Sequence, residues 1–264
     1  MDEYMSNFAL EGKIALITGG GHGIGFGIAC AYDIAGATVL FCEVTQEKVD
    51  AGLASYRDAG VDARGYVCDV TNELAVAELI EKIEREVGTI DILVNNASII
   101  QRTLLADMEV ADFRRVVDVD LIGAFICSRA VIPSMIRKGH GKIINICSMM
   151  SELARETVSA YASAKGGLKM LTLSICAEYA KYNIQCNGIG PGYIRSPQTE
   201  PLINDELFKE FIVAKTPAER WGRMDDIMGP AIFLASEASN FVNGQILYVD
   251  GGMLSTLGTT GENP

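Results

Sequence analysis

A serine, a tyrosine and a lysine fall within the short stretch Ser148–Lys165, S-M-M-S-E-L-A-R-E-T-V-S-A-Y-A-S-A-K. Tyr161 and Lys165 are four positions apart, so on a helix they share one face. Ser148 follows the apolar run Lys142–Cys147, which reads as a strand. A strand-end hydroxyl and a helix carrying a phenol and an ammonium would then converge on one point. The chemistry open to that set is proton transfer. A phenol with an ordinary pKa of roughly 10 is a poor base near neutrality, and an adjacent ammonium favours its phenolate. The same Tyr–Lys spacing also describes an ordinary solvated helix face, so the surrounding elements must decide.

Composition narrows the options. Of 264 residues, 49% are apolar, enough to bury a large core. The formal net charge of −12 argues against a nucleic-acid or membrane-surface partner, since both would repel the chain. An anionic small substrate then needs a local arginine or lysine to overcome the global field. Seven cysteines (Cys30, Cys42, Cys68, Cys127, Cys147, Cys176 and Cys186) include no C-x-x-C pair and mostly lie in apolar runs. They read as buried, reduced thiols of a cytoplasmic protein, not as disulfides or a zinc site. The only histidines are His22 and His140, so imidazole catalysis and a metal site are not expected. Met1–Leu10 shows no signal-peptide pattern, and no uninterrupted apolar run reaches the length of a membrane span.

The chain alternates strands and helices. Lys13–Thr18 enters Gly19-Gly20-Gly21-His22-Gly23-Ile24-Gly25, and a helical pattern, Phe26–Ala35, follows. A glycine turn between strand and helix lets backbone amides approach a pyrophosphate at the helix N-terminus. Ala37–Cys42 is a second strand, with Glu43 at its carboxyl end, where an acidic side chain can accept from ribose hydroxyls and would repel a 2′-phosphate. Helix Gln46–Ala59, strand Asp62–Cys68 ending at Asp69-Val70, helix Glu73–Val87 and strand Ile90–Val94 continue the pattern. Asp112–Arg137 is read as one long helix, Asn183–Ile189 as a sixth strand, Asp225–Ala235 as a short helix and Gln245–Val249 as a seventh strand. Residues 197–216 hold no clear core pattern and read as an excursion over the substrate side of the cleft; residues 256–264 read as a frayed tail. The predicted fold is a single α/β domain, a Rossmann-type, doubly wound parallel sheet of about seven strands with helices on both faces. Gly19, Glu43, Asp69, Asn96 and Ser148 all fall at strand carboxyl ends, where such sheets bind ligands.

Thr18-Gly19-x-x-x-Gly23-x-Gly25, Asn95-Asn96-Ala97, Ser148, Tyr161-x-x-x-Lys165 and Pro191-Gly192 together resemble the short-chain dehydrogenase/reductase family over nearly the whole chain. Within it, Gly141–Glu152, Asn183–Ile194 and Arg220-Trp221-Gly222 are similar to gluconate 5-dehydrogenases, also called 5-keto-D-gluconate reductases. The related 2-dehydro-3-deoxygluconate 5-dehydrogenases share part of this, including an arginine at the place of Arg102. Two departures stand out: the family's Asn-Asn-Ala-Gly ends here in Ser98, and the asparagine of its catalytic tetrad is matched by Asp120.

The resemblance implies hydride transfer between a nicotinamide cofactor and a secondary alcohol or ketone, with D-gluconate and 5-dehydro-D-gluconate as the expected pair. Tyr161 is then the general acid/base, Lys165 lowers its pKa and binds the nicotinamide ribose, and Ser148 hydrogen-bonds the substrate oxygen. Asp120 fills the fourth catalytic position. The cofactor would lie against Gly19, His22, Gly23, Ile24 and Gly25, then Glu43, Asp69 and Val70, and finally Asn96, Pro191, Gly192 and Ile194. Glu43, and His22 in a slot where NADP-preferring relatives often carry a base, favour NAD, with NADP as the alternative. Arg102, and secondarily Arg155, would hold a substrate carboxylate; a surface Arg102 paired with Asp107 or Glu109 is the plainer alternative. The resemblance implies a homotetramer. Competing activities are 2-dehydro-3-deoxygluconate 5-dehydrogenation and 3-ketoacyl thioester reduction, and the non-enzymatic one is an NAD-binding sensor or scaffold.

Overall fold

The structure is a computed structural model that describes residues 2–197 and 199–256. Seven strands form one sheet: β1 (Ile14–Thr18), β2 (Thr38–Glu43), β3 (Ala63–Val67), β4 (Ile92–Asn95), β5 (Gly141–Ile146), β6 (Ile184–Pro191) and β7 (Ile246–Val249). Their order is 3-2-1-4-5-6-7, with every neighbouring pair parallel. The principal helices are α1 (Gly23–Ile34), α2 (Gln46–Asp58), α3 (Glu73–Glu86), α4 (Val110–Lys138), α5 (Ser159–Tyr179), α6 (Glu206–Lys215) and α7 (Met224–Ala235).

Strand pleating sorts the apolar runs onto two faces. Ala15 and Ile17 of β1, Val39 and Phe41 of β2, and Ile92 and Val94 of β4 face a core closed by Ile28 and Tyr32 of α1, Val49 and Tyr56 of α2, and Ile227 and Leu234 of α7. Leu16, Leu40 and Leu93 point the other way, against Ile80 and Ile83 of α3, Val131 and Met135 of α4, and Ile175 of α5. Most of these side chains are fully buried, each contributing about 1.5–3 kcal/mol from apolar burial. Both faces are covered, which is why the strands read as continuous apolar runs and not as alternation.

Helix starts follow local chemistry. Asn72 caps α3 through hydrogen bonds from the backbone N–H groups of Leu74 and Ala75, both 3.1 Å, and Thr45 caps α2 through Lys48 N–H, each worth about 1 kcal/mol. α1 starts at Gly23, inside the glycine turn and three residues earlier than predicted, and its N-cap His22 makes no side-chain cap. Its first N–H groups are thereby left for another acceptor.

The predicted long helix is broken by a π-helical turn at Asp118–Ile122, a feature common at functional sites. By length and composition alone α4 could cross a membrane, but Arg129 interrupts its apolar run, and one of its faces packs in the core through Ile126, Cys127, Val131 and Ile132. The excursion at 197–216 also differs from expectation, because it contains a helical turn at Glu200–Ile203 and α6. Ile212 is the one buried residue of α6, so no amphipathic stripe announced it. Residues 257–264 of the expected frayed tail lie outside the described residues.

At the amino end of the sheet Asp91, 2% exposed, joins three elements. It accepts from Ile14 N–H at 2.9 Å, from Lys138 Nζ at 2.7 Å and engages His140 Nε2 at 2.6 Å. The opposite, carboxyl end is where the chemistry-bearing residues gather.

Candidate active site

A cleft of about 750 Å³ runs along the carboxyl ends of the strands, a size typical of ligand sites. It spans the point between β1 and β4 where the strand order reverses, the usual binding crevice of such sheets. Gly19, His22, Gly23 and Ile24 line it, as do Glu43, Asp69, Val70 and Asn96, and then Ser148, Tyr161, Pro191, Gly192 and Ile194. Gly25 and Lys165 lie behind that surface. A side chain at Gly25 would come within 2.5 Å of Asn96 Nδ2 and 2.7 Å of Gly19 O, so this glycine packs the turn against the β4 loop.

The turn is held from below. Asn96 Nδ2 donates to Thr18 O (3.0 Å) and Gly19 O (2.8 Å), while Thr18 Oγ1 accepts from Asn96 N–H and Ala97 N–H. Gly19 adopts φ +62° and Gly23 φ +59°, backbone conformations that favour glycine. At Gly23 a side chain would meet nothing within 4 Å, so the free amides of α1 open directly onto the cleft. These residues fit the phosphates of a dinucleotide.

Glu43 is buried at the end of β2. Its Oε1 accepts from Gly21 N–H at 3.0 Å and lies 3.3 Å from His22 Nδ1. Burial works against its carboxylate, yet the bonds from His22 and Gly21 more than offset that and hold its pKa below the ordinary value. The Glu43 partner in turn raises the pKa of His22. Lys48, which sequence reading did not single out, also lines this end of the cleft; α2 brings it back one helical turn from Glu43.

The chemical end is built on β5, α4 and α5. Ser148 starts a short 3₁₀ turn, Met149–Ser151, where its Oγ accepts from Met150 N–H at 3.1 Å, and its hydroxyl favours the Tyr161 phenolate, which places the two groups close together. Lys165, 2% exposed, donates to Ile146 O at 2.9 Å, stands 5.4 Å from the Tyr161 ring centroid and lies 3.5 Å from Asp120 Oδ2. Beneath them a buried polar chain ties the helices to the sheet: Asn95 Nδ2 donates to Ser128 Oγ of α4 and Asn145 Oδ1, and Asn145 Nδ2 donates to Thr172 Oγ1 of α5.

One expectation changes here. Lys165 does favour the Tyr161 phenolate, but burial outweighs it and Asp120 opposes it, so the phenol's pKa is raised in the protein alone. The ammonium is itself held protonated: Asp120 and Tyr161 more than offset its burial.

Arg102 and Arg155 both line the cleft beside Tyr161. Arg155 stacks 5.3 Å above the Phe208 ring of α6, and its charge favours the Tyr193 phenolate. Burial and then the charge of Arg155 lower the pKa of Arg102, which places the two guanidinium groups within electrostatic reach. Among the described residues neither takes part in a salt bridge, so the alternative, a surface pairing of Arg102 with Asp107 or Glu109, is absent there. Arg114 and Arg115 of α4 also line the cleft and were not foreseen. Tyr193 was foreseen only as a neighbour of Pro191-Gly192.

Comparison with known proteins decides the family. A family model described as enoyl-(acyl carrier protein) reductase matches residues 19–254. The chain belongs to the short-chain dehydrogenase/reductase family. It is 53% identical over 253 residues to a 2-dehydro-3-deoxy-D-gluconate 5-dehydrogenase of Formosa agariphila, covering 95% of this chain and 96% of that relative. A solved 2-keto-3-deoxy-D-gluconate dehydrogenase from Streptococcus agalactiae is 60% identical, with a TM-score of 0.84 and coverage of 97% and 98%. A gluconate 5-dehydrogenase from Burkholderia cenocepacia, solved with NADP and tartrate, is 45% identical, with a TM-score of 0.92 and coverage of 96% and 100%. As a short-chain dehydrogenase/reductase, the chain is an oxidoreductase acting on CH–OH groups.

Proposed function

We propose that the protein interconverts the C5 hydroxyl and ketone of a six-carbon sugar acid, with D-gluconate and 5-dehydro-D-gluconate as one pair and 2-dehydro-3-deoxy-D-gluconate as the other substrate. The Formosa and Burkholderia relatives are both named as 5-dehydrogenases. The observation that carries the reading is the pair Arg102 and Arg155, without salt-bridge partners among the described residues and lining one cleft with Tyr161 in a chain of net charge −12. A carboxylate bound there would neutralise two adjacent cations. The two relatives above 50% identity favour the 3-deoxy substrate.

The bound nicotinamide dinucleotide supplies or accepts the hydride. Around it the chain's own residues do the proton chemistry. Tyr161 takes the hydroxyl proton during oxidation and returns it during reduction, Ser148 holds the reacting oxygen, and Lys165 keeps a positive charge beside the phenol. Gly19, His22, Gly23 and Ile24 would hold the phosphates. Glu43 would accept from the adenosine ribose and supports NAD; Lys48, and His22 when protonated, would give a 2′-phosphate positive neighbours, so NADP is also accepted, as the Burkholderia relative supports. The protein is taken to be a cytoplasmic homotetramer, consistent with its free cysteines and with exposed Phe125 on α4 and Met170 on α5.

A cofactor-coupled absorbance assay tests the reading. Purified protein is offered D-gluconate, 5-dehydro-D-gluconate, 2-dehydro-3-deoxy-D-gluconate and an acetoacetyl thioester, each with both cofactors. Turnover of a sugar acid that Tyr161→Phe abolishes, with cofactor binding intact, is expected. Turnover of the thioester alone, or full activity in Tyr161→Phe, would overturn it.

A further inference from the structure

Ser98 and Asp120, the two positions at which the chain departs from its family's pattern, are hydrogen-bonded to each other. Asp120 sits in the π-helical turn of α4 and is 1% exposed. Its Oδ2 accepts from the Ser98 hydroxyl and lies 3.5 Å from Lys165 Nζ, and its Oδ1 accepts from Ile99 N–H at 2.8 Å. A backbone N–H and an ammonium can only donate, so the pocket is built for an acceptor at both oxygens. An asparagine amide would turn its NH₂ against one of these donors. One carboxylate thus connects the loop after β4, the π turn of α4 and the catalytic lysine on α5.

The charged groups facing Tyr161 are then Lys165 from α5, Asp120 from α4 and Arg102 from the loop after β4. Its other titratable neighbours are Cys147, whose thiol burial pushes up to about 11, and Tyr193; both stay neutral near pH 7. Burial raises the pKa of Asp120, while Lys165 and the bonds from Ser98 and Ile99 N–H favour its carboxylate, so the positive charge of Lys165 is shared between a phenol and that carboxylate whenever Asp120 is ionised. We propose that Ser98 and Asp120 form a buried positioning pair that anchors Lys165 and balances its charge beside Tyr161, setting the pH range in which the enzyme exchanges a proton with its substrate. This rests on Tyr161 being the acid/base.

The sign follows from the chemistry. Oxidation needs the phenolate, so its rate rises with pH along an acid limb. Removing the carboxylate leaves Lys165 unopposed and favours the phenolate, which moves that limb down. Ser98 acts through Asp120, so its loss should matter only while the carboxylate is present.

The test measures kcat against pH for oxidation of the best sugar-acid substrate, with melting temperatures alongside. Asp120→Asn should move the acid limb down by about one pH unit, the size of a single nearby charge. Ser98→Ala should lower kcat several-fold, Ser98→Thr should restore it, and Ser98→Ala should add nothing in the Asp120→Asn background. A lowered melting temperature with an unmoved limb makes the pair merely structural and overturns the proposal, as does an additive double variant. Ser98 is half-buried at the cleft, so its variants keep the test open if Asp120→Asn does not fold; equal kcat in Ser98→Ala and Ser98→Thr then overturns it. Activity surviving in Tyr161→Phe would instead remove the underlying reading, an outcome distinguishable from either.

Discussion

Replacing Arg102 and Arg155, singly and together, probes the carboxylate site. Each guanidinium lines the cleft, neither has a salt-bridge partner among the described residues, and burial and the other's charge lower the pKa of Arg102. The two cations disfavour one another when no anion lies between them, and a substrate carboxylate relieves that repulsion while gaining charge-assisted hydrogen bonds. Such bonds contribute about 1.5–3 kcal/mol each, and every 1.4 kcal/mol is tenfold in affinity. Arg102→Ala should therefore raise KM by roughly 10–100-fold while changing kcat little, since the carboxylate is remote from the reacting carbon. Arg155 also packs on Phe208 and lies close to Tyr193, so Arg155→Ala should loosen α6 and lower kcat as well. The double variant should cost less than the sum of the singles, because each single removes part of the same clamp and also relieves the repulsion. Arg102→Lys should recover only part of the loss, keeping the charge without the fork. The assay is steady-state kinetics with a sugar acid and with a polyol lacking the carboxylate. An Arg102→Ala enzyme whose KM for the acid is unchanged, or rises equally for the polyol, refutes the clamp.

Two further outcomes follow from buried carboxylates. Glu43→Ala removes the negative charge beside the adenosine ribose but leaves His22 and Lys48, so the NADP-to-NAD ratio of kcat/KM should rise about 10–100-fold; a constant ratio would show that Glu43 does not read the cofactor. Asp91→Ala strands Ile14 N–H, Lys138 and His140 at the far end of the sheet. Because Lys138 and His140 are each a third exposed, the cost should be about 2–4 kcal/mol. Calorimetry should show a fall in Tm of roughly 5–15 °C with KM unaltered.

What could be read from the sequence is what local backbone chemistry controls. The glycine turn, the alternation of apolar runs with helices and the Tyr161–Lys165 face each depend on a few adjacent residues, and the structure places them as expected to within a residue or three. Residues joined only by the fold stayed hidden. Lys48 reaches the cleft because α2 runs back from the end of β2, and Arg115 does so because α4 begins beside the β4 loop; neither has a local signature. The π-helical turn left no trace in the hydrophobic pattern either, since it alters the helix phase by only a fraction of a turn. Two substitutions that looked like separate departures, Ser98 on a loop and Asp120 on a helix, are thus two ends of one hydrogen bond. The same reasoning explains how an acidic protein can bind an acid: field strength at the substrate depends on which arginines lack a partner within a few ångströms, and charge composition averages that away.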